Sequence, residues 1–334
     1  MALDVRVKID MAKVAGTLGF GYPLILEENA TAATAYTECT SIDAVATAGY
    51  DKTSKVYKAA QLMFMQDHKP AKIAVCSCTD GADDWLGTES NITKGWRQLI
   101  VINGGEEAGA TAVTAIATVI EAAKVEKIFF ANVDMPQSLT SITPTVTGKD
   151  RTVVFYYTAT ADIPVPVAAL AGEIGGLTPG SYTVNNLTLK GLTPLELSEE
   201  DIEKLHTAGG ITFVLSAGDG VCSEGKVSSG EYIDIVDGND YIKQQLEYRT
   251  QKVFNNNLKV PYTNVGIALL ESAAIGVMQD AQNKGIIEDF TVEYALREQT
   301  TEEDRAARKY LGGSVKYSMQ GAIHYIEIMC EAKL

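Results

Sequence analysis

The run Gly220 to Lys226 (GVCSEGK) has the glycine and lysine spacing of a phosphate loop, in which backbone N–H groups and a lysine cradle a nucleotide's phosphates. The surrounding chemistry opposes it. Val227 stands where a magnesium-binding Ser or Thr belongs, Glu224 puts a negative charge inside the cradle, and a strand, Tyr232 to Val236, is expected where a helix N-terminus is needed. A glycine-rich connection between strands accounts for the run better. Gly104-Gly105 stands at an expected strand-to-helix turn, but the full dinucleotide fingerprint is absent and Glu106 and Glu107 would repel a pyrophosphate.

Metal and hydrolase chemistry fare no better. Cys76 and Cys78 are spaced to share one face of a strand, with Asp80, Asp83 and Asp84 following, but no second cysteine pair or neighbouring histidine completes a zinc site. The three histidines, His68, His206 and His324, fall in a turn, at a helix end and in a terminal strand, and no nucleophile elbow or Ser/His/Asp order accompanies them. His206 suits the negative end of a helix dipole. Glu199 to Asp201 and Glu302 to Asp304 read as first-turn helix charges, not an acid/base pair. The expectation is a chain with no catalytic residues, no cofactor and no metal.

The elements that would position such groups alternate. Tyr22 to Glu27 and Ala35 to Cys39 read as strands, Ser41 and Ser54 as caps of helices, and Lys72 to Cys78 as a strand. Gln98 to Ile102, a helix over Glu106 to Lys124 and Lys127 to Val133 repeat the unit, followed by a strand at Arg151 to Tyr157 and a helix near Pro166 to Ile174. This order argues for a layered α/β body with a largely parallel sheet. Leu177 to Gly191 reads as an extended loop, Ser198 as a helix cap and Ile211 to Ser216 as a strand. Helices over Asn239 to Leu258 and from Thr263 to Lys284, a strand with Phe290, Val292, Tyr294 and Leu296 inward, and a helix from Thr301 to Lys309 make a C-terminal α+β region. The expected division is residues 1–19 as arm and linker, 20–230 as α/β body, and 231–334 as C-terminal α+β domain.

With 334 residues the chain has room for about two domains. Its net charge of −15 without a dense basic patch disfavours nucleic acid. No run approaches the length of a membrane span, and the charged start MALDVRVKID does not read as a signal peptide, so the expectation is a protein made and kept in the cytosol, or released by cell lysis. Five cysteines form no dense framework, which fits reduced thiols.

Both chain ends look cohesive. In LDVRVKID, Leu3, Val5, Val7 and Ile9 share one face of a strand that has no obvious partner. Ser314 to Leu334 reads as a hairpin turning near Gln320-Gly321. Its return strand is apolar on both faces, with Ile323, Tyr325 and Met329 one way and Ile326, Ile328 and Cys330 the other. Either arm could pair inside its own subunit or complete a sheet in another copy.

Several segments together carry a family resemblance: TPGSYTVNNLTLKGLTP (178–194), GITFVLSAGDGVCSEGKVSSGEYIDIVDGNDYIKQQL (210–246), KVPYTNVGIALLESAAIGVM (259–278) and GAIHYIEIMCEAKL (321–334). They resemble the sheath proteins of contractile bacteriophage tails and related tail-like bacteriocins. YPLILEENA, SKVYKAAQLMFM and KIAVCSC extend the likeness loosely into the first half. The resemblance implies a non-catalytic structural subunit, many copies of which form a helical homo-oligomer around an inner tail tube and contract to drive it through a bacterial envelope. It implies a place in a virion tail or tail-like particle assembled in the host cytoplasm, with tube, baseplate and tail terminator proteins as partners, and neither nucleic acid binding nor membrane insertion. It also implies intersubunit strands at Leu3, Val5, Val7, Ile9, Ile323, Tyr325, Ile326 and Ile328, and a tube-facing helix over Asn239 to Leu258 carrying Lys243, Arg249 and Lys252. A tube or baseplate component, or an α/β enzyme with an unrecognised site, are the alternatives.

Overall fold

The computed structural model describes residues 20–103, 110–136, 138–139, 142 and 144–331. Leu3, Val5, Val7, Ile9, Gly16 and Gly19, and the Gly104 to Glu107 turn, lie outside the described residues. The chain divides into two compact units, one within residues 17–241 and one that contains residues 242–334.

The first unit is built on β1 (Leu24–Glu28), β2 (Thr34–Cys39), α1 (Ile42–Thr47), α2 (Lys55–Phe64), β3 (Ile73–Ser77), α3 (Ala82–Leu86), α4 (Glu89–Ile92), β4 (Gln98–Asn103), α5 (Ala110–Ala123), β5 (Ile128–Val133), β6 (Thr152–Tyr156), α6 (Val167–Ile174), α7 (Glu199–Thr207) and β7 (Gly210–Ile211). One sheet runs in the order β2-β3-β1-β4-β5-β6-β7, parallel throughout except for the edge strand β2. Helices cover both faces, and the strand residues alternate between two cores. Ile25, Val75, Ile100, Phe130 and Phe155 face α2 and α6, whereas Leu26, Cys76, Leu99, Phe129 and Tyr156 face the core that holds α3 and α5 residues. Burial on both faces is why these strands read as unbroken apolar runs. Ser41, Ser54 and Ser198 cap α1, α2 and α7 as their spacing predicts.

A small ribbon of β8 (Phe213–Ser216) and β9 (Asp219–Cys222) follows, and then α8 (Ile233–Asn255). The expected strand Tyr232 to Val236 is therefore corrected to the start of a helix. The reason is ionic. Asp234, Asp237 and Asp240 recur at helical spacing on α8 and are all buried, and two of them meet arginines of the body. Arg97, itself 1% exposed, ion-pairs with Asp237 and, at 2.6 Å, with Asp240. Arg151 also binds Asp240, with its Nη2 2.8 Å from Oδ1, and the Tyr182 hydroxyl donates to Asp237 at 2.5 Å. Burial alone would raise the Asp240 pKa, but Arg97 and Arg151 hold it below the usual carboxylate range. Helical geometry satisfies the acids, and this overrides the β propensity of Tyr, Ile and Val.

The second unit holds the rest of α8 and α9 (Asn264–Asn283), β10 (Ile287–Tyr294), α10 (Glu302–Ala306) and β11 (Gly313–Met319). Thr263 caps α9 by accepting from Gly266 N. Two expectations need correction here. The helix after Thr301 stops at Ala306, and Leu296 lies beyond β10, 51% exposed, not inward.

Two packing features are testable. Gly172 lets α6 lie against α2, since an added Cβ would sit 2.5 Å from Met63 Cα. Gly172→Ala should cost about 1–3 kcal/mol through overpacking, seen as a lower urea midpoint with an unchanged slope. An unchanged midpoint would mean the helices separate freely. The second feature is Lys127, whose ammonium donates to Lys94 O at 2.6 Å and to Trp96 O and lies 4.5 Å from the Trp96 ring centre. Burial, and then the nearby Arg97, push its pKa down to about 7. Unfolded, it titrates near about 10.4, so between those values the unfolded chain holds the extra proton and stability rises with pH. The stability of wild type relative to Lys127→Met should therefore climb by up to about 1.4 kcal/mol per pH unit between pH 7 and 10. A flat difference in urea unfolding would show that the ammonium keeps its proton.

Candidate functional site

The phosphate-loop lure is filled by its own side chains. Gly220 belongs to β9 of an antiparallel ribbon, and Lys226 is taken by Glu224 at 2.8 Å and by the face of Tyr232 at 5.1 Å. Helix α8 begins soon after, in place of the expected strand, yet the paired lysine leaves no cradle for phosphate. Cys76 and Cys78 are buried, and burial pushes their thiols up to about 12 and about 11. No cluster suited to a metal ion occurs among the described residues.

His68 and His206 have partners inside the protein. His68 Nδ1 lies 2.5 Å from the buried Glu173 carboxylate. His206 Nε2 meets Ser223 Oγ at 3.0 Å, a pair that sequence reading misses because the partners come from α7 and the end of the β8–β9 ribbon. Burial lowers the His206 pKa, and Ser223 Oγ also accepts the Thr212 N–H. Among the described residues no carboxylate hydrogen-bonds the other His206 nitrogen, so the pair lacks the third group that orients a catalytic base.

A doubly wound sheet binds ligands beyond its strand C-termini where the strand order reverses, here beside β1. That place carries Glu28, 4% exposed, whose Oε2 accepts from Ala82 N at 2.8 Å. A side-chain carboxylate thus already occupies the helix start where an anion would dock. A surface groove of about 210 Å³ beside α2 is lined by Lys58, Leu62, Met65, Ile163 and Val165, and Lys58 Nζ is held by Ala161 O at 2.5 Å.

The unit containing residues 242–334 is different in kind. Strands β10 and β11 form a two-stranded antiparallel ribbon with Phe290 opposite Tyr317 and Val292 opposite Val315. These residues, with Tyr294 and Met319, make the half-buried face, while Asp289, Thr291, Glu293, Lys316 and Ser318 are exposed. Tyr294 stacks on Tyr310 at 5.8 Å, and the Tyr310 hydroxyl donates to Ala295 O. With only two strands, each has an outer edge that no described strand covers.

Residues 321–331 follow β11 without joining any sheet. The expected hairpin is therefore corrected: β11 takes β10 as its partner, and Gln320 N bonds Ile286 O instead of starting a turn. What remains is an apolar strip in water, with Ile323 87%, Tyr325 81%, Ile326 73%, Ile328 72% and Met329 93% exposed. Burying such a side chain is worth about 1.5–3 kcal/mol, so the strip holds a large unspent driving force for association.

The basic residues of α8 are partly engaged. Arg249 ion-pairs with Asp280 of α9, and Lys252 Nζ lies 5.4 Å from the Tyr248 ring centre. At about 100° per residue, Lys252 lies roughly 180° around the helix from Lys243 and about 60° from Arg249. The helix ends at Asn255, so Leu258 falls beyond it, fully exposed.

No family model and no curated protein matches this chain. Solved structures do. The contracted helical sheath of the anti-feeding prophage aligns with a TM-score of 0.72 at 14% identity, covering 99% of this chain and 98% of that one. A chain in the 6-fold symmetrised baseplate structure of the same particle aligns with a TM-score of 0.72 at 14% identity over 100% of both chains. The contracted sheath complex of an extracellular contractile injection system, PVC, gives 0.71 at 12% identity, covering 100% of this chain and 97% of that one. The chain thus has the fold found in contractile injection-system sheaths, from one end to the other.

The strip makes a chemical prediction. Cys39, Cys76, Cys78 and Cys222 are buried and Cys330 is exposed. A thiol reagent added to monomer should modify one cysteine rapidly, and peptide mapping should place it at Cys330. Rapid loss of two or more thiols would show that the body opens.

Proposed function

We propose, taking a fold shared along its whole length with contractile-sheath chains as premise, that this protein is a structural subunit of a contractile tail-type sheath. The observation that carries the reading is the apolar strip Ile323 to Met329, exposed on both faces and following a two-stranded ribbon whose outer edges no described strand covers. A subunit built to work alone would bury it. In a polymer the strip of one copy, and the arm Leu3 to Ile9 of another, would extend the β10–β11 ribbon through ladder hydrogen bonds. Leu3, Val5, Val7, Ile9, Ile323, Tyr325, Ile326 and Ile328 are the proposed intersubunit residues.

Such bonds, each worth about 0.5–1.5 kcal/mol net, depend on local strand geometry and not on how the attached bodies are turned. A mesh linked this way survives while body-to-body contacts exchange, which is what contraction requires. The inner tube is the proposed partner of α8 through Lys243, Arg249 and Lys252. Arg249 and Lys252 share a side of the helix, and Arg249 would leave Asp280 for an acidic partner. Baseplate and tail terminator proteins would bound the assembly, in a phage tail or tail-like particle assembled in the bacterial host cytoplasm. The body carries no reaction in this reading: its sheet crest and histidines are used internally.

Deleting Met1 to Asp10, or separately truncating after Gly321, should leave a soluble monomer with wild-type circular dichroism that no longer forms tubes in negative-stain electron microscopy. Tubes formed by either variant would overturn the exchange of strands between copies.

A further inference from the structure

The first described residues of the body and the first turns of α8 meet at one side chain. The Phe20 ring centre lies 4.5 Å from the Arg97 guanidinium carbon, and Phe20 also packs edge-on against Tyr241 at 5.9 Å and 63°. Arg97 N donates to Tyr22 O at 2.8 Å, so the backbone two residues on is tied to the same residue. Between them, Gly21 adopts φ +107°, and an added Cβ would sit 2.6 Å from Arg97 Cβ. Only glycine fits there, both for its conformation and for the close approach. On its other side Arg97 holds Asp237 and Asp240, four and one residues before Tyr241 on α8. Arg97 Nε has no acceptor among the described residues, and the guanidinium is shielded from water by its neighbours.

We infer that Phe20, Arg97 and Tyr241 form a mechanical clamp, fastening the root of the N-terminal segment and the root of α8 to one buried guanidinium. The chain enters the body at residue 20 and leaves it near residue 241, and both points are held by the same group. Load arriving through the N-terminal segment is passed across the Phe20–Arg97 contact to Asp237 and Asp240, and so to α8. Arg151 braces the second acid from β6's edge, so the clamp is anchored in the body. The mechanical consequence rests on the sheath reading, in which the N-terminal segment is pulled by a neighbouring copy. The clamp itself is a property of the monomer.

Hydrogen exchange on soluble monomer tests it separately from polymerisation. Losing a desolvated cation–π contact in Phe20→Ala should speed exchange of the α8 amides from Asp237 to Tyr241 by about tenfold, while β3 and β6 amides keep wild-type rates. Tyr241→Ala should in turn speed exchange at Tyr22 and Leu24. Exchange in Phe20→Ala that rises only at residues 20–22, with α8 unchanged, overturns the clamp. So does a uniform rise across the sheet, which would show general destabilisation instead. Phe20→Leu keeps an apolar cover without the aromatic face, and wild-type α8 exchange in it would likewise overturn the role of the ring. Failure of the wild-type chain to form tubes would sink the sheath reading and leave these results standing.

Discussion

The structure turns on a buried guanidinium that cannot be left alone. Breaking a buried ion pair by removing one partner costs about 3–5 kcal/mol, because the survivor keeps its charge without its solvent. Arg97 is that charge, and satisfying it fixes Asp237 and Asp240 on one side of a helix, fixes Arg151 beside them, and directs the Tyr182 hydroxyl to the remaining carboxylate oxygen. A residue run with strong β propensity is bent into helix by this demand. An apolar cluster of equal volume could be as stable, but it would tolerate several arrangements, whereas forked hydrogen bonds to two carboxylates tolerate few.

Around that point the body is closed chemically. Its sheet is covered on both faces, its strand-end crevice carries the Glu28 carboxylate, and His68, His206 and Lys226 each have partners inside the protein. The end of the chain shows the reverse economy. Ile323, Tyr325, Ile326, Ile328 and Met329 face water, and no described strand covers either outer edge of the β10–β11 ribbon. Among the described residues, one part of the molecule has Glu28, His68, His206 and Lys226 partnered internally and the other leaves apolar side chains in water.

Much of the body was legible because its signals are local. Continuous runs such as QLIVI and KIFFANV announce two-sided burial, and Ser41, Ser54, Ser198 and Thr263 cap helices where expected. The larger failures share a cause, which is distance along the chain, whereas the early end of α10 and the exposure of Leu296 are local misreadings. The Tyr232 to Val236 stretch could not be read as helix without its partners Arg97 and Arg151, although aspartates at helical spacing were the available clue. The hairpin reading chose the nearest partner for β11, while the strand that pairs with it lies across α10. The His206–Ser223 contact and the clamp at Phe20 likewise join residues that no short window contains. The apolar strip itself was legible, and so was its need for cover, because alternation on both faces is a statement about surroundings that sequence makes directly.

An exposed strip beside open strand edges is also a hazard, since any passing edge could claim it. The chain carries two restraints. Its net charge of −15 makes copies repel at a distance, so encounter is slowed until partners are held close enough for short-range contacts to win. The ribbon's exposed face adds Asp289 and Glu293 on β10 against Lys316 on β11, and the strip carries Glu327. An added strand is therefore tested for charge as well as for shape. A partner strand that must match both the apolar strip and the charge order is more narrowly selected than one that must match the strip alone.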